Sequence, residues 1–160
     1  MEDQKILKAL STLKTNIDQF LVSIPDHASD TGSFNAELNF AVNQAQQRNQ
    51  WFTRKNIIQA LSGINFLLNT DALIKWINRY DIIEEDAKAK QVGIIMAGNI
   101  PMVGFHDLMC VILSGHKAVV KLSDDDTVLM QFIINALIKS EPDLINRIKD
   151  RKSTRLNSSH

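Results

Sequence analysis

The sequence predicts an α/β fold in which several N-terminal helices precede the start of a parallel sheet, in βαβα order, as part of an incomplete domain. Three observations support this prediction. Apolar residues recur at three- and four-residue steps over the first 90 residues, as they do in amphipathic helices. Two short apolar runs, Val92–Met96 and Ala118–Leu122, then depart from this period. A third apolar stretch, with helical spacing, lies between the two runs.

The N-terminal region, residues 1–90, is predicted to consist of helices joined by polar connections. The first helix carries apolar residues from Ile6 to Ile24, and a polar connection leads to a second helix over Phe34–Asn49. Thr53 is well placed to cap a third helix, and Asn69 or Thr70 to begin a fourth. This region is therefore expected to form a helical unit ahead of the sheet.

The next region, residues 91–149, is predicted to form a βαβ unit followed by further helices. The two apolar runs do not alternate, which is typical of strands covered on both faces. With the helix Val103–Leu113 between them, they make a βαβ unit whose strands should be parallel. Ser123 is placed to cap a helix from about Asp126 to Lys139, and a last short helix is expected over Asp143–Lys149.

Composition and charge exclude several classes of function. The 160 residues are 44% hydrophobic with a formal net charge of zero, so a nucleic-acid partner is not expected. A single Cys excludes an internal disulfide and a cysteine-cluster metal site, and suits a reducing compartment. No apolar run approaches the ~20 residues of a membrane span, and the N-terminus lacks the apolar core of a signal peptide. We therefore expect a cytoplasmic protein.

A candidate site lies where the first strand ends, in "IIMAGNIPMVGFHD". The carboxyl ends of parallel strands meet at one edge of a sheet, where ligands of open α/β sheets bind. Asn99 follows the first strand and Lys121 lies near the end of the second, so both are expected at this edge. Gly98 permits a tight turn and Pro101 directs the chain into the following helix. The Asn99 amide could hold a developing negative charge, and Lys121 could contact a nucleotide.

The segment "VGIIMAGNIPMVGFHDLMCVILSGHKAVVKLSDDD" resembles the nucleotide-binding segment of the fatty acyl-CoA reductases of the bacterial luminescence type, within the aldehyde dehydrogenase superfamily. Ala97-Gly98-Asn99-Ile100-Pro101 stands for the superfamily's Pro-Trp-Asn-Phe-Pro block, and Lys121-Leu122-Ser123-Asp124 for its Lys-Pro-Ser-Glu block. The similarity covers roughly residues 91–127. It implies a Rossmann-like domain, of which residues 91–149 would be the nucleotide-binding start.

The resemblance also implies roles for individual residues. Asn99 matches the catalytic Asn whose amide holds the thioester or aldehyde oxygen. Ile100 and Pro101 match positions on the nicotinamide side of the cofactor, while Lys121 and Asp124 match the Lys and the acid that contact the adenosine ribose. Ser123 completes the cofactor-binding block. Because Asp124 is shorter than the family's Glu, the choice between NADPH and NADH stays open.

The reaction implied for the intact enzyme is the reduction of a fatty acyl-CoA to an aldehyde through a cysteine acyl-enzyme. The family's nucleophilic Cys lies far downstream of the Lys-Pro-Ser-Glu block, so this chain alone is predicted to be inactive. The resemblance is also compatible with a homo-oligomer. The alternative is a non-catalytic α/β nucleotide-binding or interaction module.

Other chemically suggestive residues have simpler structural explanations. Cys110, in the middle of a helix, is interpreted as a small buried hydrophobe rather than a nucleophile. His106-Asp107 is not interpreted as an acid/base pair, because neighbouring helix residues point in different directions. Residues 124–126 lack calcium-loop spacing, so no metal site is predicted. His116 is interpreted as a turn residue, and Trp51, Phe66 and Trp76 are interpreted as core or helix-packing residues.

The C-terminal residues 150–160 are expected to be a non-native tail. These eleven residues can be encoded by one reading frame of a common short-read sequencing adapter, and they have no helical or strand period. On this interpretation only residues up to about Lys149 of this chain are natural sequence, and the intact protein is expected to continue beyond that point with different residues. A natural polar tail is the alternative. Because the tail has no apolar face, we expect it to be disordered and residues 151–160 to pack against nothing.

Overall fold

The computed structural model describes residues 2–24 and 33–151. It is a mixed α/β structure with six α-helices, three β-strands and three short 3-10 turns in these ranges. The 3-10 turns are Asp86–Lys88, Asp124–Asp126 and Pro142–Asn146. In chain order, the helices and strands are α1 Glu2–Ser23, α2 Ser33–Arg48, α3 Arg54–Leu67, α4 Thr70–Ile77, β1 Gln91–Ile95, α5 Phe105–Leu113, β2 Lys117–Lys121, α6 Thr127–Ser140 and β3 Ile148–Asp150.

The N-terminal helices form as predicted, and two of them have side-chain caps. The Thr53 hydroxyl accepts the Asn56 N–H at 3.2 Å, which satisfies one free donor at the start of α3. The Asn69 side chain does the same for α4 by accepting the Ala72 N–H at 2.9 Å. The predicted cap at Thr53 is confirmed, and of the two predicted starts of the fourth helix, Asn69 is the cap and Thr70 the first helical residue. The connection over residues 25–32 lies outside the described residues.

The sheet is parallel, with the strand order β1-β2-β3. β1 pairs with β2 in the register Val92↔Ala118 and Ile95↔Lys121, which confirms the two predicted parallel strands joined by a helix. The observed helix α5 begins at Phe105, two residues later than expected. α6 begins at Thr127, because the 3-10 turn precedes it.

The prediction of a helix over Asp143–Lys149 is wrong. A 3-10 turn ends at Asn146, and Ile148–Asp150 forms a third strand parallel to β2. The open edge of β2 offers unpaired backbone groups, and the Ala118 N–H donates to the Arg147 carbonyl at 2.7 Å. Ile148 is also buried in the core. These long-range contacts override the local helix signal.

The prediction that the strands are covered on both faces is also wrong. One face is covered: Ile94, Ala118, Val120 and Ile148 are buried, and α5 packs on β1 and β2. Side chains alternate along a strand, so the intervening residues point to the opposite face. There Ile95 is 86% exposed, with the exposed Lys121 beside it, and Lys149 is exposed on the same face of the sheet. In the described residues, the sheet therefore has one open face.

The N-terminal helices share the core of the α/β region. α1 contacts α5 and α6, and α2 contacts α6, so buried residues from Ile6 to Ile148 form one cluster. A domain boundary near residue 90 stays a prediction. Over residues 2–24 and 33–151, no single helix has the length and apolar character to cross a membrane; α3 and α4 meet those criteria only as a pair, bent by 55°.

Candidate functional site

The candidate site begins where the chain leaves β1. The Met96 N–H donates to the Lys121 carbonyl at 3.0 Å, which extends the strand pairing by one residue. The chain then turns away from the sheet through residues 97–104 before α5 begins. In this loop Asn99 is exposed and Ile100 is 53% exposed, whereas Pro101 is buried. The loop after β1 thus presents Asn99 and Ile100 outward and anchors itself through the residues that follow.

The second part of the site is the turn between β2 and α6, which is built around Ser123. The Ser123 hydroxyl accepts the Asp125 N–H at 3.2 Å, and its carbonyl accepts the Asp126 N–H at 3.1 Å. The Thr127 hydroxyl donates to the same carbonyl at 2.9 Å. Ser123 is therefore half-buried and engaged in the turn, while Asp124 is exposed.

The two segments lie against each other at the carboxyl edge of β1 and β2. A Cβ on Gly98 would overlap the Ser123 hydroxyl, and it would lie 2.8 Å from Ser123 Cβ and 2.9 Å from Asp125 Cβ. Only a residue without a side chain fits at position 98 with this approach. The sequence-predicted positions Asn99 and Ser123 therefore belong to neighbouring segments, as the parallel topology requires.

A second contact between the segments was not predicted from the sequence. Asp126 Oδ2 accepts the Met102 N–H at 2.6 Å, and both residues are 3% exposed. Burial raises the pKa of Asp126 to about 7, and the hydrogen bond from Met102 lowers it by less. The sequence showed Asp126 only as the third of three consecutive Asp residues at a helix start, which is ordinarily a solvated cap.

Lys121 lies on the exposed face of the sheet. It pairs in register with Ile95, and its side chain is exposed on the same face as that residue. Both are at the end of their strands, next to the loop that carries Asn99. An exposed ammonium group here, with the exposed carboxylate of Asp124 three residues on, is suited to contact hydroxyl groups of a polar ligand.

The turn between α2 and α3 also reaches this edge. The Asn49 side-chain amide donates to the Asp125 carbonyl at 3.3 Å, and its oxygen accepts the Trp51 N–H at 3.0 Å. Trp51 is 77% exposed, so the prediction that it packs in the core is wrong. The same prediction is wrong for Phe66, which is 83% exposed, whereas Trp76 is half-buried and packs edge-on against Tyr80.

Cys110 does not have the environment of a nucleophile. Burial and the Asp107 carboxylate both raise the pKa of its thiol, which disfavours the thiolate. Its Sγ lies 3.9 Å from the His106 ring, one helical turn earlier. The side chains of His106 and Asp107 are both exposed, and His106 Nδ1 lies 3.7 Å from Asp107 Oδ1. This distance is compatible with a weak surface interaction. His116 accepts the Lys90 N–H at 3.1 Å through Nδ1, which gives it a structural partner.

Other possible ligand sites lie away from this edge. A cavity of about 150 Å³ occurs at the opposite ends of the strands, where Gly115 precedes β2 and Arg147 precedes β3. Arg147 is buried there and donates to the Gly115 carbonyl at 2.6 Å, so it joins two connections of the fold. Over residues 2–24 and 33–151, no group of three or more His, Cys, Asp or Glu side chains is arranged to hold a metal ion.

Of the predicted C-terminal tail, the structure describes Asp150 and Arg151. Asp150 pairs with Val120 in β3, and the Arg151 N–H donates to the Val120 carbonyl at 2.7 Å. The expectation that residues from Arg151 onward contact nothing is therefore wrong for the Arg151 backbone. Backbone pairing needs no particular side chain, so it does not depend on the identity of these two residues. Residues 152–160 lie outside the described residues.

Comparison of the chain with protein-family models, with curated proteins and with solved structures gives no match.

Proposed function

We propose that the chain is the N-terminal, cofactor-binding part of an NAD(P)H-dependent reductase that converts a fatty acyl-CoA thioester to an aldehyde. The observation that carries the proposal is the close approach of two loops at the carboxyl edge of parallel strands. Gly98 lies against Ser123, which brings the Asn99 loop beside the segment Lys121–Asp124. These are the two segments in which the sequence resembles the reductases. In this proposal the sheet is the start of a Rossmann-like domain.

The exposed polar groups at this edge fit a nicotinamide dinucleotide. Lys121 and Asp124 are exposed, so an ammonium group and a carboxylate are available to the ribose hydroxyls. Ile100, 53% exposed on the loop after β1, would offer apolar surface to the nicotinamide ring, and the adjacent Pro101 is buried. When bound, the nicotinamide would supply the hydride for the reduction.

Asn99 would act on the substrate rather than on the cofactor. Its side chain is exposed, so its amide N–H groups are accessible to a ligand oxygen. An amide held at this position would stabilise negative charge developing on the thioester oxygen. Since burial and Asp107 raise the pKa of the Cys110 thiol and so disfavour its thiolate, the nucleophile would come from the rest of the intact enzyme. The chain alone should therefore bind cofactor without reducing acyl-CoA.

The test is cofactor binding by the 160-residue chain. Titration with NADPH and with NADH, followed by nicotinamide fluorescence, should show saturable binding to one of them or to both. Lys121→Ala should weaken this binding about tenfold or more, because a hydrogen bond to a charged group is lost. Lys75→Ala, which removes an exposed lysine on α4, is the matched control and should leave the affinity unchanged. Absence of binding, or equal loss in both variants, would contradict the proposal.

A second candidate is an interaction module, and the open face of the sheet favours it. All-parallel sheets ordinarily have both faces covered, yet Ile95 is 86% exposed here, and Lys121 and Lys149 are exposed on the same face. Ile95→Glu should abolish self-association or partner binding if this face is an interface. If the variant instead lowers NADPH affinity and leaves the molecular mass in solution unchanged, the face serves the cofactor site.

A further inference from the structure

Asp126 stands apart from the other acidic residues. Among the described residues it is the one buried acidic side chain, and it is 3% exposed. It occupies the N-cap position of α6, where an Asp ordinarily accepts an N–H of its own helix. Asp126 makes no such capping bond. Its side chain instead reaches across to the Met102 N–H, 24 residues earlier in the chain.

Met102 has a backbone conformation that needs support. With φ of 57°, it is the one non-glycine residue in the left-handed region within the described part of the chain. L-residues rarely adopt this conformation without surrounding contacts that enforce it, and such residues concentrate at functional sites. The Asp126 carboxylate supplies the partner for the N–H that this conformation turns toward the core. The hydrogen bond therefore stabilises the turn immediately after Pro101.

The loop that carries Asn99 is anchored on both sides against one turn. Before Asn99, Gly98 lies against Ser123; after it, the Met102 N–H bonds to Asp126. Both anchors belong to the turn between β2 and α6. Asn99 and Ile100, between the anchors, are exposed. The position of the Asn99 amide relative to Lys121 is thus set through this turn.

We infer that Asp126 is a positioning residue, which holds the Asn99–Pro101 segment in place through the Met102 N–H and so sets the geometry of the oxyanion-binding amide. The inference deepens the proposed function and rests on it for the role of Asn99. The carboxyl group is kept in a costly environment. Its second oxygen, Oδ1, is buried and makes no hydrogen bond to the described residues. An apolar side chain would avoid this cost, but it would leave the buried Met102 N–H without its acceptor.

The first test concerns the wild-type chain and requires no variant. Backbone hydrogen exchange, followed by NMR, should show the Met102 amide protected although it lies outside α5. The protection should exceed that of the exposed Asn99 and Ile100 amides by about tenfold or more. An unprotected Met102 amide in the folded chain would overturn the inference whatever the variants do.

The second test compares three variants. Asp126→Asn keeps an acceptor oxygen for Met102 and should retain the protection of its amide and the sharp resonances of Asn99 and Ile100. Asp126→Ala should lose both. Asp125→Ala removes the neighbouring exposed carboxylate and is the matched control. A folded Asp126→Ala chain with unchanged Asn99 and Ile100 resonances would overturn the inference.

A third measurement separates this inference from the proposed function. NADPH affinity should fall in Asp126→Ala, because the segment that Asp126 holds includes Ile100 and Pro101, which the proposed function places on the nicotinamide side. The affinity should be restored in Asp126→Asn, since the amide oxygen can replace the carboxylate oxygen as acceptor. If the wild-type chain binds no cofactor, the proposed function fails, and the exchange data still decide whether Asp126 holds the loop. If the wild type binds and Asp126→Ala binds equally well, the loop is not positioned by Asp126 for the cofactor, and the inference fails alone.

Discussion

Replacing Asp126 by Asn should change how the stability of the chain depends on pH. Burial raises the pKa of this carboxyl from its ordinary value of 3.8 to about 7 in the folded state. Between these values the folded protein binds a proton that the unfolded chain has released. The contribution of Asp126 to the free energy of unfolding is thus fully present below about pH 4. It falls as the pH rises and is lost above about pH 7. Asn cannot titrate, so the variant lacks this dependence.

The size of the effect follows from the linkage relation. One proton contributes a slope of about 1.4 kcal/mol per pH unit. Over the interval between the two pKa values this amounts to a loss on the order of 4 kcal/mol for the wild type. Such a loss is comparable to a large part of the stability of a small domain. Relative to the wild type, Asp126→Asn should therefore become progressively more stable as the pH rises.

The assay is urea unfolding of both chains, followed by circular dichroism, at intervals from about pH 4 to pH 8. The informative quantity is the difference in unfolding free energy between variant and wild type, because shared titrations cancel in it. Asp125→Asn, which removes a negative charge from the same turn, is the matched control for the loss of charge. A difference between Asp126→Asn and wild type that stays constant over this range would refute the reasoning about the buried carboxyl.

Three other predictions test the packing of the fold. Gly98→Ala should destabilise the chain by about 1–3 kcal/mol in urea unfolding, because its Cβ would overlap Ser123, and Ser123→Gly should restore part of the loss; additive effects would contradict the contact. Gly63→Ala should stabilise α3 by up to about 1 kcal/mol, since an added Cβ would meet nothing within 4 Å. Gly115→Ala should destabilise the chain, because Gly115 has a φ of +83° and an added Cβ would overlap a backbone carbonyl. Equal shifts of the melting temperature in the two variants would contradict this. Deleting residues 152–160 while keeping Arg151 should leave the melting temperature unchanged, and a substantial drop would show that these residues belong to the fold.

The parallel pair β1 and β2 could be predicted because its signals are local. Each strand is a short apolar run, the helix between them has its own period, and Gly115 ends that helix with φ of +83°. The caps at Thr53 and Asn69 could also be predicted from the sequence, since a cap is adjacent in sequence to the helix that it caps. These elements follow from chemistry within one segment.

The features that sequence reasoning missed depend on contacts between distant segments. Strand β3 is only three residues long. Pro142 and Asp143, which precede it, are residues typical of the first turn of a helix, so the local sequence favoured a helix there. Whether a strand has one face covered or two depends on what packs on the sheet, so the exposure of Ile95 has no local signature. The hydrogen bond between Met102 and Asp126 likewise joins positions 24 residues apart. The residues around Met102 and around Asp126 do not indicate that these two positions are hydrogen-bonded.

The proposal that this edge of the sheet binds a nicotinamide dinucleotide is tested most directly by mapping NADPH onto the chain. Addition of NADPH to the isotopically labelled chain should shift a contiguous set of backbone amide resonances in a saturable manner, with NADH as the parallel titration. The expected set lies on the two loops at the carboxyl edge of β1 and β2: Asn99, Ile100, Lys121, Ser123 and Asp124. Shifts confined to the cavity beside Gly115 and Arg147, or no saturable shift with either cofactor, would contradict the proposal.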